Sequence, residues 1–297
     1  MNIVKRIYWK LYREICKPSD EQYLIKQFEL YVGYKPNIKN PKSYLEKLLW
    51  LKLNWRSDLA KKVVDKYLVR EYVAEKGMSK YLVELYGVYD KFEEIDFDTL
   101  PNSFVIKNTG DSGGVKVIKN KNEMNYKTTK EFFENLKTNT ISNYAKEWVY
   151  EGLQNRIVVE RIIETKDNHS PKDYKFFCFN GEPQFLFVGS ERDVDVKFDF
   201  FDLDFNHLPV HNGHEWSKEK IEKPSNFDEM LEVCKVLSKD FPQVRVDLYS
   251  ENNKIYFGEL TFFHFGGIVP FEPREYDYLF GEKFDLPKIN NASEGEL

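Results

Sequence analysis

Hydrophobic positions recur at three- and four-residue intervals up to about residue 77, and from Tyr81 onward they tend to alternate. Ile3, Ile7, Leu11 and Ile15 mark a helical stripe over residues 2–17. Asn40-Pro41-Lys42-Ser43 with Glu46 is a helix start leading into Leu45, Leu48, Leu49 and Leu51. Residues 58–76 read as one further helix, stopped at Gly77. Beyond it the pattern predicts strands over residues 83–89, 103–107 and 156–164, with a helix over 121–137 between the last two. Strands over 173–179 and 184–189 flank Asn180-Gly181, the strongest short hairpin signal in the chain. A strand over 197–208, a helix over 226–239 and a hairpin of residues 243–250 and 254–261 complete the pattern. Strands joined by tight turns must pair antiparallel, so the fold class is α+β rather than a doubly wound parallel sheet. The expected division is a helical region over 1–60, a smaller mixed unit over 61–155, a larger one over 156–289 and a loose tail over 290–297.

The last hairpin carries the most chemistry. A three-residue loop at Glu251-Asn252-Asn253 would set Arg245 opposite Glu259 and Asp247 opposite Phe257. Directly opposed residues share a face, so Arg245, Asp247, Glu259 and Thr261 would project together, away from Val244, Val246, Leu248, Tyr256 and Leu260. Two acids beside an arginine suit a divalent cation held against a phosphate, and they also suit an ion pair on a wet sheet surface. A second constellation is Phe104-Val105-Ile106-Lys107, an apolar strand ending in a lysine and running into Asn108-Thr109-Gly110-Asp111-Ser112-Gly113-Gly114. Such a loop can bring backbone N–H groups close to phosphate oxygens, or serve as a plain Gly-rich turn; it matches neither G-x-x-x-x-G-K-[ST] nor G-x-G-x-x-G.

Composition narrows the partners. With 44 basic and 49 acidic residues among 297 the net charge is −5, which disfavours nucleic acid. No run of 18 apolar residues and no secretory leader is visible, so a cytoplasmic location is expected. Cys16, Cys178 and Cys234 are too few and too scattered for a disulfide framework and are expected reduced and buried. The first helix is basic, with Lys5, Arg6, Lys10, Arg13 and Lys17 against Glu14; it can lie on the inner face of an anionic membrane or pack on the domain with a solvated face.

Several blocks together resemble the ATP-grasp enzymes, and within them the TupA-like group of bacterial surface-polysaccharide gene clusters. These are Asp65-Lys66-Tyr67 through Arg70-Glu71-Tyr72-Val73, Phe104 to Lys107, Val159-Glu160-Arg161, Asp173-Tyr174-Lys175 through Asn180-Gly181, Arg245-Val246-Asp247-Leu248-Tyr249, and Phe257-Gly258-Glu259-Leu260-Thr261-Phe262. The resemblance implies an ATP-grasp fold whose two subdomains clasp ATP, preceded here by helices. It implies that Lys66 and Lys107 neutralise the ATP phosphates under a loop of Asp111, Ser112, Gly113 and Gly114. Glu160, Arg161, Ile162 and Ile163 would hold adenine and ribose, with Asp173 and Lys175 adding polar contacts. Asp247 and Glu259 would be Mg2+ ligands, with Thr261 as a third ligand where the family usually carries asparagine, and Arg245 would stabilise charge on the transferring phosphoryl group. The implied reaction is ATP-dependent joining of a carboxylate to an amine through an acyl phosphate, with a hexuronic acid of a surface glycan and an amino acid or related amine as reactants. Many members carry a sheet domain before the ATP-binding region, where this chain reads as helices, so no acceptor site is carried over.

Other arrangements compete. Asp193-Val194-Asp195 and Asp202-Leu203-Asp204 match the D-x-D of nucleotide-sugar glycosyltransferases, and a sugar kinase would use the same ATP site, though no general base stands out for it. A silent binding module is disfavoured because both lysines, the arginine and both acids are present. His207, His211 and His214 have tempting offsets, but Pro209 and Gly213 prevent the helix that would align them on zinc. His264, in the loop after the last strand, is placed either to touch substrate or to pack.

Overall fold

The computed structural model describes residues 3–110, 113–136, 144–166 and 169–288. Five helices open the chain: α1 (Ile3–Cys16), α2 (Asp20–Val32), α3 (Tyr44–Asn54), α4 (Asp58–Val63) and α5 (Val69–Glu75). Ser19 with Gln22, and Ser43 with Glu46, close capping boxes that start α2 and α3, as the Ser43–Glu46 spacing predicts. Trp9 anchors α1: its ring is buried and its indole N–H donates to the Tyr31 hydroxyl, while Arg13 and Ile15 stay exposed. Cys16, the last residue of α1, is exposed, unlike the buried Cys178 and Cys234, so the expected burial holds for two of the three cysteines.

The helix expected over 58–76 is two helices. The Asp65 carboxylate accepts from the N–H groups of Tyr67 and Leu68, and the Lys66 N–H leaves the helical ladder to donate to the Thr109 carbonyl. A short acidic side chain that captures nearby N–H groups competes with the helix, and here it breaks the helix at Lys66.

Among the described residues ten strands follow, all paired antiparallel, in agreement with the α+β expectation. A four-stranded sheet has the order β1 (Leu85–Tyr89), β4 (Ile157–Glu160), β2 (Phe104–Asn108), β3 (Val115–Ile118), and α6 (Tyr126–Glu134) covers one face of it. β4 is an inner strand of this sheet, between β1 and β2, so the sheet runs across the expected division at 155/156; Ile157 and Val159 of β4 are buried with Phe92, Phe104 and Phe133. The second sheet has six strands in the order β10 (Lys254–Thr261), β9 (Gln243–Glu251), β5 (Asp173–Phe179), β6 (Glu182–Ser190), β7 (Lys197–Phe201), β8 (His207–Leu208). The strand expected over 197–208 is therefore two, split where the Asp202 carboxylate binds the Asn206 N–H and side-chain amide in a turn.

One face of the six-stranded sheet carries Phe176, Val244, Val246 and Leu248 against α7 (Phe227–Ser238), through Phe227, Met230, Cys234 and Leu237. On the opposite face one end is aromatic: Phe177, Phe179 and Phe185 meet Tyr44 of α3 and Phe280 of α8 (Glu275–Glu282), with Phe185 and Phe280 stacked at 3.7 Å. The other end of that face is charged.

Candidate active site

That charged patch depends on a bulge. The β9–β10 hairpin turns on two residues, Asn252 (φ 50°) and Asn253 (φ 59°), not three, so Lys254 faces Glu251. Two consecutive left-handed asparagines make a primed turn, which the sequence Asn-Asn permits. Continued without a break, this register would turn Glu259 to the α7 side. A bulge at Gly258 shifts the pairing by one, and Glu259 then faces Asp247 and Thr261 faces Arg245. The expected partners are thus displaced by two residues while Arg245, Asp247, Glu259 and Thr261 keep their common face; Tyr256, which precedes the bulge and pairs with Tyr249, lies on that face and not on the opposite one. A Cβ at Gly258 would lie 3.0 Å from the Asp247 carbonyl oxygen, which is why glycine stands there.

β5 extends the same face, since Lys175 pairs with Asp247 and Asp173 with Tyr249. The Arg245 guanidinium takes both Asp247 oxygens, at 2.7 Å from Nε and 2.7 Å from Nη2, and donates to the Thr261 hydroxyl at 3.0 Å. Lys175 bridges Asp247 and Asp173, and Arg192 donates to Asp173 at 2.8 Å. The second Asp173 oxygen is buried without a partner.

Lysines reach this patch from elsewhere in the chain. Lys66 Nζ stands 4.0 Å from Glu259 Oε2 and Arg245 Nη2 3.6 Å from Oε1. Burial would raise the Glu259 carboxyl, but Lys66, Lys175, Arg245 and Lys107 outweigh it and hold the carboxyl at about 2. Four cations from four separate stretches of chain therefore act on one carboxylate, whose side chain is 37% exposed. The turn that breaks the 58–76 helix makes this possible, because the bond from Lys66 N–H to Thr109 O docks Lys66 beside the end of β2, where Lys107 lies.

Between the sheets lies a cavity of about 430 Å³. Lys107, Arg161, Ile162 and Ile163 line it, together with Val83, Val105, Val115, Val117, Arg192 and Tyr249. Val115 and Val117 are 39% and 48% exposed, an apolar strip on an otherwise packed sheet. Glu160 does not line the cavity; Lys107 at 2.7 Å and Arg70 at 3.1 Å take its two oxygens, so it holds a lysine rather than offering a free acceptor for ribose hydroxyls. Gly113 (φ 94°) and Gly114 close the β2–β3 hairpin, with Asn108 N–H bonded to Gly114 O, and a Cβ at Gly114 would meet the Asn108 side chain at 2.7 Å. Asp111 and Ser112 lie outside the described residues. Arg192 and the two valines carry no signal in the motif blocks, and Arg70 and Tyr249 stand in those blocks without a role; the alternation in Val115-Lys116-Val117-Ile118, beside the Gly-rich loop, is the available signal for the valines.

The loop after β10 packs under the patch. His264 is buried, Phe265, Gly266 and Gly267 have φ of 47°, 62° and 66°, and the buried Lys52 ammonium of α3 donates to Gly266 O and Ala145 O, each at 2.6 Å. Burial lowers Lys52 to about 8 against the pull of Glu147, and raises Glu147 to about 7 against the pull of Lys52 and Arg245.

The competing constellations are occupied otherwise. Asp193 accepts from the Ser170 N–H and hydroxyl, Asp195 pairs with Lys197, and Asp202 caps its own turn. His211 stacks on Trp216 at 4.1 Å and His214 packs on Phe198 at 4.2 Å. Among the described residues no group of three His, Cys, Asp or Glu could hold a metal. Asp247 and Glu259 are cross-strand partners on one face, but Arg245 takes both Asp247 oxygens and Lys175 shares one, so Glu259 is the more open of the two carboxylates toward a magnesium ion, which takes most of its oxygens from phosphates and water.

A sequence search of curated proteins finds no significant match. Solved structures with partial likeness include the D-alanine–D-alanine ligase of Bacillus anthracis complexed with ATP (17% identity, TM-score 0.39, covering 69% of this chain and 56% of that one). Another is the L-amino acid ligase of Bacillus licheniformis (12% identity, TM-score 0.45, covering 85% and 57%). The chain spans little more than half the length of each. The profile of the family described as TupA-like ATPgrasp matches residues 46–285, which takes in both sheets, the cavity and the charged patch. The chain belongs to the TupA-like ATP-grasp family and has its ATP-grasp fold.

Proposed function

We propose that the protein is an ADP-forming carboxylate–amine ligase, and that its reactants are a hexuronic acid of a bacterial surface polysaccharide and an amino acid or related amine. The observation that carries the reading is the convergence of Lys66, Lys107, Lys175 and Arg245 on Glu259 at the open end of the charged face. Such a cluster suits a triphosphate, and the apolar strip of Val115 and Val117 with Arg161 to Ile163 suits a base beside it. Among the described residues no helix is long and apolar enough to cross a membrane. The exposed Arg13 and Lys17 suit peripheral contact with an anionic inner leaflet, which co-sedimentation with anionic vesicles checks by its loss in Arg13→Glu/Lys17→Glu.

In this reading a carboxylate oxygen of the substrate attacks the γ-phosphorus of ATP, and the bond to the bridging oxygen breaks to release ADP. The amine then adds to the acyl carbon, loses a proton and expels phosphate, leaving the amide. Lys66 and Lys107 screen the charge that otherwise repels an anionic nucleophile, and Arg245 sits where charge grows on the transferring group. Glu259, with Asp247 beside it, would hold magnesium, which would offset the negative charge of the phosphates. Thr261 orients Arg245 and Glu259 through its hydroxyl, to which Arg245 donates and which donates in turn to Glu259 at 3.4 Å.

ADP release, measured with a panel of uronates and amines, tests the reading. Lys107→Ala, Asp247→Asn and Glu259→Gln are each expected to lower turnover by at least about 10²- to 10³-fold with the fold intact by circular dichroism. Full turnover in all three removes the assignment. Mass spectrometry of the cell's surface glycan with and without the gene identifies the reactants through a missing amide-linked substituent.

A further inference from the structure

His264 sits in a fixed chain of donors and acceptors that ends on the catalytic arginine of the reading above. Arg245 Nη1 lies 2.7 Å from His264 Nδ1, and His264 Nε2 lies 2.7 Å from Asn212 Oδ1. The Asn212 amide nitrogen donates to the carbonyls of Val269 and Pro270, both at 3.0 Å, which fixes its orientation and turns its oxygen toward the imidazole. A guanidinium has only donors, so His264 Nδ1 must accept and Nε2 must carry the proton. The ring is closed in by Phe177, Phe187 and Phe265, and it is neutral: burial, then the charges of Arg245 and Lys175, push its pKa well down.

We infer that His264, oriented by Asn212, is a positioning residue that fixes the Arg245 guanidinium through a neutral acceptor. The charge of that acceptor matters. Asp247 already binds two donors of the guanidinium, and a second carboxylate in place of His264 would cancel the cation that the phosphoryl group is to meet. An imidazole restrains the third side and leaves the positive charge available. The left-handed turn at Phe265, Gly266 and Gly267 follows directly, and Phe265 packs on the imidazole at 4.3 Å.

This inference rests on the ligase reading, and three variants separate the two. His264→Asn keeps a neutral acceptor and is expected to retain kcat to within about tenfold. His264→Asp, nearly the same shape with a charge added, and His264→Leu, with no acceptor, are expected to lose kcat on the order of 10- to 100-fold, with the KM for ATP held within about threefold. Equal kcat in the Asn and Asp variants, or wild-type kcat in all three, overturns the role. The 15N spectrum of the wild-type imidazole reads the same geometry without turnover and without a variant. A protonated Nε2 with a bare Nδ1 supports the inference, and the opposite tautomer overturns it. Wild-type protein that forms no ADP with any reactant pair overturns the ligase reading, whereas active wild type with unmoved variants overturns this role alone.

Discussion

The two sheets face each other across one cavity and are built on different terms. The six-stranded sheet is buried on both sides, by α7 on one and by Tyr44, Phe280 and the loop after β10 on the other. Its charged residues are tied to one another: four of the five Arg245 N–H groups are committed, to Asp247, Thr261 and His264. The four-stranded sheet is covered on one side only, by Phe92, Phe97 and Phe133, and turns Val105, Val115 and Val117 toward the cavity. The larger sheet thus supplies geometry that is finished before a ligand arrives, and the smaller one supplies apolar surface that only a ligand completes. Reacting groups require the first arrangement, because a small misplacement costs rate; a base needs only cover.

The largest expected effects lie on the finished side. Lys52→Met strips donors from two buried carbonyls and leaves Glu147 without its cation, so it is expected to cost about 3–5 kcal/mol in a urea titration. Phe177→Ala, deep between Tyr44 and Phe185, belongs in the same range of about 3–5 kcal/mol. Losses under about 1 kcal/mol at both positions would show that the larger sheet is not the rigid partner. Native-state hydrogen exchange sharpens the contrast: the amides of β9 should open only with global unfolding and those of β3 at lower free energy.

Effects on the ligand side are smaller. Val117→Asp places a charge on the exposed strip without opening the core, since Lys116 and Ile118 face the other way. It is expected to raise the KM for ATP about tenfold, roughly 1.4 kcal/mol, with kcat and thermal stability little changed. An unchanged KM would detach the strip from nucleotide binding.

What the sequence revealed follows the same division. The common face of Arg245, Asp247, Glu259 and Thr261 was legible because strand parity survives a misjudged turn: a loop one residue shorter and a one-residue bulge together move the partners by two and restore the face. The bulge itself was hidden, since Gly258 reads equally well as an ordinary strand residue. The break at Lys66 was hidden for a related reason. The stretch 58–76 has helical spacing, and only Asp65 capturing two N–H groups and Thr109 accepting a third reveals the turn. Contacts between distant stretches, such as Lys107 with Glu160 or His264 with Asn212, leave no local pattern to read.

The smallest expected effect is electrostatic and tests whether the lysines truly share one field with Glu259. Its carboxyl is held at about 2 against an ordinary value of 4.5, so between those pH values the unfolded chain binds the proton that the native protein refuses. The stability it contributes is therefore present above about pH 4.5 and lost as pH falls toward 2. Because the side chain is 37% exposed, solvent screens the interaction and the effect belongs with partly exposed pairs, roughly 0–1 kcal/mol. Glu259→Gln removes this titration, so the wild type should lose stability faster than the variant as pH falls through that window, and the difference should shrink with added salt. Lys66→Met should reduce the wild-type slope in part, since Lys66 acts on this carboxylate more strongly than the other cations. Parallel stability curves for wild type and Glu259→Gln would mean that the cations on the two sheets do not meet at this carboxylate, and the comparison between a finished face and an unfinished one would lose the point where the two sheets join.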